Sequence, residues 1–358
     1  MPGDPLAELG RTLFFDTRLS EPAGQACATC HDPSRAFSDP RPTGAGGALS
    51  VGADGRSLGM RNAPTLTYVA SVPPFHRQAD VYVGGLFLDG RAPTLQAQAL
   101  QPLLNPLEMA LPDEQTLVRR VLADTAYREH LLALFGPEAL AGDRRTVDAI
   151  TTAIAAFERT EAFSTFDSRF DRALAGEYVM NRDEAIGQAL FFSDLSNCSQ
   201  CHLNEIGRLS PRETFTNHGY HNIGVPVNAA AWQANGVGAD HRDLGLGGRS
   251  ELPDAADQSG RFRVPTLRNV AVTAPYMHNG VFASLEAAVA FYGKYTLSNR
   301  PAQTNPETGE PWAPPETGEN VDLTQLRAGQ PLDAQRVRHL VAFLKTLTDA
   351  RYEHLIVE

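Results

Sequence analysis

Two five-residue segments of this sequence carry recognisable chemistry: Cys27-Ala28-Thr29-Cys30-His31 and Cys198-Ser199-Gln200-Cys201-His202. In a C-x-x-C-H motif the two thiols add to the vinyl groups of a haem, and the adjacent histidine binds its iron. A redox dithiol or half of a zinc site would also use a C-x-x-C pair. Here the two copies use all four cysteines of the chain, and His follows each pair directly. The pattern therefore predicts two covalent c-type haems, one held by Cys27, Cys30 and His31 and the other by Cys198, Cys201 and His202.

Composition limits the class of protein. The chain has 358 residues, of which 42% are hydrophobic and 20% charged, so it is long enough for two globular domains. Its net charge of −11 disfavours nucleic acid and an anionic membrane surface as partners. No apolar run approaches the ~18–20 residues of a membrane span. Because haem is attached to C-x-x-C-H outside the cytoplasm, we expect a periplasmic protein, and the signal-free start Met1-Pro2-Gly3 suggests a mature form.

Several segments occur twice along the chain, in the same order. The pairs are Leu9-Gly10-Arg11-Thr12-Leu13-Phe14-Phe15 with Ile186-Gly187-Gln188-Ala189-Leu190-Phe191-Phe192, Pro64-Thr65-Leu66 with Pro265-Thr266-Leu267, and Thr94-Leu95 with Ser284-Leu285. The repeat predicts a mostly α fold with two cytochrome c-like haem domains that arose by internal duplication. We expect these domains at 1–165 and 166–358, with long irregular loops at 32–86 and 203–262.

Helix signals support this organisation. Asp4-Pro5 is a favourable helix start, with Asp as the N-cap and Pro at the first helical position. Asn181 and Glu184 have the spacing of a capping box before the second copy. Amphipathic patterns predict further helices at 147–159 and 333–348, and a helical scaffold stretch at 116–135.

The repeat also allows the second axial ligand positions of the two haems to be compared. When Leu95 is paired with Leu285, Pro102 falls opposite Tyr292. A cytochrome draws its second axial ligand from this part of the chain, and proline offers no donor atom whereas tyrosine has a phenolic oxygen. The first haem is therefore expected to be open, and the second to be closed by Tyr292.

Other assignments of these ligands remain open at this point. Tyr292 could be one more packed aromatic residue, flanked by Phe291 and Tyr295. The rival ligands for the second haem are Met277 and His278. For the first haem the rival is Met60, because no His lies between His31 and His76.

Longer motifs connect the chain with a known family. They are Leu13-Phe14-Phe15-Asp16, Arg61-Asn62-Ala63-Pro64-Thr65-Leu66, Asn105-Pro106-Leu107-Glu108-Met109, Tyr220-His221-Asn222-Ile223-Gly224, Val264-Pro265-Thr266-Leu267-Arg268-Asn269-Val270 and Pro275-Tyr276-Met277-His278-Asn279-Gly280-Val281-Phe282. With these motifs the sequence closely resembles the bacterial dihaem cytochrome c peroxidase/MauG superfamily, above all its MauG-like members. The resemblance covers nearly the whole chain.

The resemblance implies roles for individual residues. The ligand position of the second haem is Met in ordinary dihaem peroxidases and Tyr in MauG-like enzymes, so it implies ligation by Tyr292. Ordinary members also carry a removable His ligand after the first motif, which this sequence lacks. Gln98, Pro102 and Glu108 match the distal pocket of the first haem.

The resemblance further implies a calcium ion. The side chain of Asn62 and the backbone carbonyls of Thr273 and Pro275 match its protein ligands in the family. Oxygen donors of this kind suit a hard cation. Considered by itself, Asn62 would be an ordinary turn residue.

Two departures from the family pattern bear on electron transfer. The family's Phe-Trp-Asp-Gly-Arg motif reads Phe87-Leu88-Asp89-Gly90-Arg91 here, so Leu88 replaces the tryptophan between the haems. Ser196 stands where MauG-like enzymes have a surface tryptophan. The tryptophans of this chain, Trp232 and Trp312, occupy neither position. The usual relay is thus missing.

Three functions can be considered for a chain with two predicted haems. The favoured hypothesis is a MauG-like enzyme, which uses hydrogen peroxide to form a high-valent dihaem state that oxidises a side chain, Trp or Tyr, of a partner protein. The alternative is a peroxide-scavenging cytochrome c peroxidase fed by a small electron-carrier protein. A plain electron carrier would need two closed haems, and Pro102 argues against it. In the favoured mechanism Glu108 moves the proton of peroxide and Gln98 orients it.

Overall fold

In the computed structural model, which describes residues 3–41, 46–205, 208–238 and 240–357, helices begin where capping signals predict them. The first helix, α1 (Pro5–Phe14), starts at Asp4, whose carboxylate accepts a hydrogen bond from the Leu6 amide at 3.0 Å. At the second copy, the Asn181 side chain accepts from the amide of Glu184 at 3.0 Å, and the Glu184 carboxylate accepts from the amide of Asn181 at 2.9 Å. These two predicted helix starts are confirmed.

The chain divides into two compact units. The first comprises the chain up to Ala70 together with Ala92–Ser164, and the second comprises Ser71–Arg91 together with the chain from Thr165 onward. The helices of the first unit are α1, α2 (Cys27–Cys30), α3 (Leu95–Leu104), α4 (Glu114–Ala123), α5 (Thr125–Phe135) and α6 (Arg144–Phe157). Those of the second are α7 (Arg169–Leu174), α8 (Arg182–Phe192), α9 (Ala229–Ala234), α10 (Leu285–Ala290), α11 (Leu323–Leu326) and α12 (Ala334–Lys345).

The fold is mostly α with little strand, as the sequence predicts. Its strands are β1 (His76–Gln78), β2 (Val81–Val83), β3 (Tyr220–His221) and β4 (Phe262–Arg263). They form two antiparallel pairs, β1 with β2 and β3 with β4. All four lie within or at the edge of stretches predicted as loops. Strands of two or three residues are too short to give an alternating hydrophobic pattern, so the sequence does not reveal them.

Two further expectations differ from the structure. The segment 71–91, which the sequence assigned to the first domain, packs with the second unit. There the Gly84 amide donates to the His218 carbonyl at 3.0 Å, and the Arg263 amide donates to the Leu88 carbonyl at 2.9 Å. The predicted helical stretch 116–135 is two helices, because Asp124 adopts an extended conformation and caps α5.

Each unit is organised around a close crossing of two helices. In the first unit α1 meets α6 at Gly10, where a Cβ atom would collide with the carbonyl oxygen of Ala153. In the second unit α8 meets α12 at Gly187, where a Cβ atom would collide with the carbonyl of His339. Only glycine allows the backbones to approach so closely, since any side chain would push the helices apart.

Matching aromatic clusters surround the two crossings. In the first unit Phe14 packs edge-on against Phe157 at 5.4 Å between ring centroids, and against Phe37 at 6.3 Å. In the second unit Phe191 packs against Phe343 at 5.2 Å and against Phe215 at 5.8 Å. Edge-on aromatic pairs at these distances add about 0.5–1.5 kcal/mol each beyond simple burial.

The helix crossing gives a stability prediction. Gly10→Ala should lower the free energy of unfolding by about 1–3 kcal/mol or more, because the added methyl group overpacks a rigid backbone contact. Thermal unfolding of the haem-loaded protein, followed by far-UV circular dichroism, measures the effect. Gly318→Ala is the matched control, since no atom lies within 4 Å of the Cβ it would add. Equal melting temperatures for the two variants would contradict the crossing.

Candidate haem-binding sites

The histidine of each C-x-x-C-H motif is oriented by a backbone carbonyl. In the first unit Nδ1 of His31 donates to the carbonyl oxygen of Phe37 at 3.1 Å. In the second unit Nδ1 of His202 donates to the carbonyl oxygen of Phe215 at 3.1 Å. This hydrogen bond fixes the tautomer in which Nε2 carries a lone pair for a metal ion. Burial lowers the pKa of His31 and lowers that of His202 to about 4, so both imidazoles are neutral, as ligation requires.

Burial also holds the thiols of Cys27, Cys30 and Cys198 neutral. Burial raises the pKa of Cys27 to about 12 and that of Cys198 to about 11. A redox dithiol needs a lowered thiol pKa, and a zinc site binds thiolates. All four cysteines are free of disulfides. The donor set therefore fits a haem attached through two thioethers and bound by His, and fits the two rival uses of C-x-x-C poorly.

Gln98 and Pro102 share one face of α3 in the first unit. They are four residues apart, which is about one helical turn. After α3 the chain turns back, and the Met109 amide donates to the Pro102 carbonyl at 3.1 Å. This turn brings Glu108, next to Met109, towards the end of α3. Proline at this position has no side-chain donor, so α3 offers no iron ligand there.

Glu108 lies close enough to the first motif to act on its thiols. After burial and nearer charges, the carboxylate of Glu108 contributes to raising the pKa of Cys27 and of Cys30. Its Oε1 accepts a hydrogen bond from the Asn105 side chain at 2.8 Å, and its carbonyl accepts from the Ala53 amide at 2.7 Å. The carboxylate is thus held in a defined position on the same unit as His31. The three predicted pocket residues, Gln98, Pro102 and Glu108, all belong to the first unit.

Tyr292 lies in the pocket of the second motif. It stands in the 3-10 helix Phe291–Tyr295, which continues directly from α10. Burial raises the pKa of its phenol, and the nearby Cys201 and Cys198 thiols act in the same direction. The ring of the preceding Phe291 packs into the core cluster formed with Tyr276 and Phe282. Tyr292 therefore lies near the cysteine pair, next to a residue that is fixed in the core.

The rival ligands of the second haem have other contacts. Nε2 of His278 is 2.8 Å from a carboxylate oxygen of Glu316, and its ring stacks on Phe262 at 3.8 Å between centroids. Met277 packs against the core cluster that contains Phe282 and Phe291. Which of the three residues binds the second haem stays a prediction.

Two further groups of the second unit, one partly buried and one buried, were not predicted as site residues from the sequence. His221 is 2.7 Å from Asp322. Burial opposes its protonation, but hydrogen bonds to Asp322 and Cys201 outweigh it and raise the pKa of His221 to about 9. Arg263 is buried and has no carboxylate partner among the described residues, where its Nε donates to the Phe87 carbonyl at 3.3 Å. An acidic group of a bound haem would satisfy this charge. Neither residue stands out by spacing, because their partners are distant in sequence.

The predicted calcium ligands lie in different units. Asn62 belongs to the first unit, whereas Thr273 and Pro275 belong to the second, next to the cis peptide bond between Ala274 and Pro275. No cluster of three or more His, Cys, Asp or Glu suited to a metal ion occurs in the described parts of the chain. A site of amide and backbone oxygens falls outside that type of cluster, so the calcium ion stays a prediction.

The two positions that lack tryptophan have local structural partners. The Leu88 carbonyl accepts from the Arg263 amide, as described above. The hydroxyl of Ser196 donates to the Leu190 carbonyl at 2.7 Å, at the end of α8. Leucine and serine side chains cannot be oxidised in the way an indole can.

A membrane-spanning helix would need a longer apolar stretch than any helix found within residues 3–41, 46–205, 208–238 and 240–357.

Each unit has an oriented histidine beside a cysteine pair, and this arrangement is typical of a protein that binds two haems. Comparison with known proteins supports this class. Residues 4–179 match the family model described as di-haem cytochrome c peroxidase. The chain is 53% identical over 356 residues to the methylamine utilization protein MauG of Paracoccus denitrificans, which covers 99% of this chain and 91% of that protein. It is 34% identical over 296 residues to the cytochrome c551 peroxidase of Nitrosomonas europaea, covering 82% of this chain and 74% of that protein.

Solved structures give the same result. The diheme peroxidase BthA from Burkholderia thailandensis superposes with a TM-score of 0.84 at 35% identity, covering 100% of this chain and 89% of that one. A MauG-like protein associated with microbial copper homeostasis gives a TM-score of 0.69 at 30% identity, covering 99% and 92%. This chain belongs to the dihaem cytochrome c peroxidase/MauG family. It is a peroxidase-type oxidoreductase that contains two haems.

Proposed function

We propose that this chain is a MauG-like enzyme, which uses hydrogen peroxide to oxidise a Trp or Tyr side chain of a partner protein. The observation that carries the proposal is Tyr292, which lies beside the Cys198 and Cys201 pair, while Pro102 stands at the matching place of the first unit. A hard phenolate ligand favours ferric and higher oxidation states over the ferrous state that a scavenging peroxidase must reach. The 53% identity to MauG supports the same reading.

The proposal includes several finer points. The haems are covalently attached, through Cys27 and Cys30 in the first unit and through Cys198 and Cys201 in the second. The units derive from one duplicated ancestor, which is supported by their matching helix crossings at Gly10 and Gly187. Asn62, Thr273 and Pro275 bind one calcium ion. Because haem is joined to C-x-x-C-H motifs outside the cytoplasm, the protein works in the periplasm.

The residues of the first unit handle the proton of peroxide. When bound, the haem supplies the iron at which the oxygen–oxygen bond of peroxide is broken. Glu108 accepts the proton from one peroxide oxygen and delivers it to the other, so that water can leave. The Gln98 amide orients the peroxide by hydrogen bonding. Pro102 leaves room for peroxide because it presents no ligand of its own.

A second function is favoured by the two missing tryptophans. With Leu88 and Ser196 at the relay positions, transfer of oxidising equivalents to a large partner lacks its usual route. Cytochrome c551 peroxidase from Nitrosomonas europaea is also a relative. The alternative is therefore peroxide scavenging, with electrons supplied by a small carrier protein.

One experiment separates these functions. The protein is purified together with products of neighbouring genes, treated with peroxide, and its partners are analysed by peptide mass spectrometry. We expect a Trp or Tyr of one partner to lose hydrogen or gain oxygen. In parallel, peroxide turnover with a reduced small cytochrome should be slow. Fast and sustained turnover without a modified partner residue would establish the scavenging function instead.

Tyr292→Phe should convert the second haem from low-spin to high-spin, because phenylalanine has no atom that can bind iron. Electron paramagnetic resonance of the ferric protein measures the change. Tyr295→Phe is the matched control, since the Tyr295 hydroxyl donates to the Ile223 carbonyl at 2.7 Å rather than facing the motif. A low-spin signal that survives in Tyr292→Phe would reassign the ligand to Met277 or His278.

Glu108→Gln should slow the reaction with peroxide by about 10²–10⁴-fold, the usual contribution of a general acid–base group, and leave both haems bound. Stopped-flow absorbance of the ferric protein after mixing with peroxide gives the rate. Glu138→Gln serves as control, because Glu138 is an exposed partner of Arg145 in the same unit. If both variants react at the wild-type rate, Glu108 has only a structural role.

A further inference from the structure

One carboxyl group of the first unit is buried and has an oxygen atom without a hydrogen-bond partner among the described residues. Glu158 directly follows α6 and is only 3% exposed. Its Oε2 has neither solvent nor a hydrogen-bond donor among the described residues. The end of a helix carries partial negative charge, so this position further disfavours an anion. An unsatisfied buried polar atom destabilises the fold, which argues against a purely structural role for this residue.

Glu158 lies beside the first haem-binding motif. Its carboxyl group acts electrostatically on Cys27, where it is the largest contribution after burial to raising the thiol pKa. The preceding Phe157 packs against Phe163 at 5.0 Å, and Phe163 stacks on Phe37 at 4.1 Å. Phe37 in turn supplies the carbonyl that orients His31. The carboxyl group therefore directly follows a row of packed aromatic residues that leads to the histidine of this haem.

The second unit shows that the helix crossing does not need this carboxyl group. Gly10 faces Phe157 in the first unit, as Gly187 faces Phe343 in the second. The residue after Phe343 is Leu344, which is 6% exposed and packs in the apolar core. An apolar side chain thus satisfies the same place in the matching helix pair. The difference between Glu158 and Leu344 is specific to the first unit.

Few charged groups face the Glu158 carboxyl. On its own segment Arg159 is exposed, and it donates to the Ala155 carbonyl at 3.0 Å. On the facing motif Cys27 becomes an uncharged thioether once haem is attached, and Glu108 acts on the same thiol more weakly than Glu158 does. The helix α1, which packs along α6, presents Gly10 and apolar side chains at the crossing. The haem would therefore be the main group near Glu158 whose charge changes, since reduction of its iron adds one electron.

We propose that Glu158 is a redox-linked proton site of the first haem, which holds a proton while the iron is ferrous and releases it to solvent when the iron gives up an electron. The inference rests on the haem attachment at Cys27 that is part of the proposed function. Its physical basis is that an electron on the haem and a negative charge on Glu158 repel each other, and burial keeps this repulsion unscreened. Burial raises the pKa of Glu158 to about 8, which puts its titration within reach of ordinary pH.

A redox titration as a function of pH tests the proposal. In the wild-type protein the ferric/ferrous potential of the first haem should be constant at low pH and fall as pH rises through about 8, where reduction begins to take up a proton. The full slope is about 59 mV per pH unit, since a tenfold change in an equilibrium constant is 59 mV for one electron. Spectroelectrochemistry from pH 5.5 to about 10, with soluble mediators, would measure it, and the second haem serves as internal reference.

Two variants make the result specific. Glu158→Gln keeps the shape and removes the titration, so its potential should equal the wild-type value at low pH and exceed it at high pH. Glu158→Leu, which installs the residue found in the second unit, should behave in the same way. Glu108→Gln should retain the pH dependence. Redox-difference infrared spectra should lose a protonated-carboxyl band on oxidation in the wild type and show no such change in Glu158→Gln.

These measurements distinguish a wrong assignment of Glu158 from a wrong assignment of the haem attachment or of the proposed function. If the slope survives in Glu158→Gln or disappears in Glu108→Gln, Glu158 is not the proton site, whatever the enzyme oxidises. A flat potential in the wild type would also overturn the proposal. If denatured protein carries no haem on Cys27 and Cys30, the attachment itself is wrong, and mass spectrometry detects that separately.

Discussion

Both haem-binding units depend on one hydrogen bond, which the motif histidine donates to a backbone carbonyl. The carbonyls belong to Phe37 and Phe215, which have φ values of 53° and 56°. A bulky side chain in this left-handed region is unusual and needs support from its surroundings. The aromatic clusters around the helix crossings supply that support. They fix the backbone, the backbone fixes the imidazole, and the imidazole presents Nε2.

The repeated Pro-Thr-Leu segment has a role in the same arrangement. The hydroxyl of Thr65 donates to the Ala36 carbonyl at 2.5 Å, and that of Thr266 donates to the Thr214 carbonyl at 2.6 Å. Ala36 and Thr214 directly precede the two phenylalanines that accept from the histidines. A repeated tripeptide far from the motif in sequence therefore supports the backbone that presents the accepting carbonyl. Such a link cannot be deduced from spacing, because the connecting loops differ in length.

The sequence predicted the features that depend on local chemistry. The cysteine pairs with adjacent histidine, the caps at Asp4 and Asn181, and the place of Tyr292 after α10 all follow from residues a few positions apart. It did not predict His221 with Asp322, which are joined by 2.7 Å but separated by 101 positions. Buried polar pairs of this kind are set by the course of the loops. The short strands were missed for the same reason, since their pairing is decided by tertiary contacts.

The two units use a common scaffold for different chemistry. At matching places the first has Pro102 and Glu158, whereas the second has Tyr292 and Leu344. None of these changes alters the helix crossings or the histidine hydrogen bonds. A rigid frame of glycine contacts and aromatic clusters tolerates substitution at residues directed to the ligand, because the frame does not rely on them. One architecture can therefore carry different residues beside its two C-x-x-C-H motifs.

The segment Ser71–Arg91 gives the chain an interlaced topology. It is flanked on both sides by residues of the first unit, yet it forms hydrogen bonds with His218 and Arg263 of the second. No single cut of the polypeptide separates the units, because a break near residue 165 leaves this segment on the wrong fragment. The second unit is completed by residues 71–91. During synthesis these residues are made before residues 92–164 of the first unit. The chain consequently passes from one unit to the other at residues 70–71, 91–92 and 164–165, rather than through a single linker.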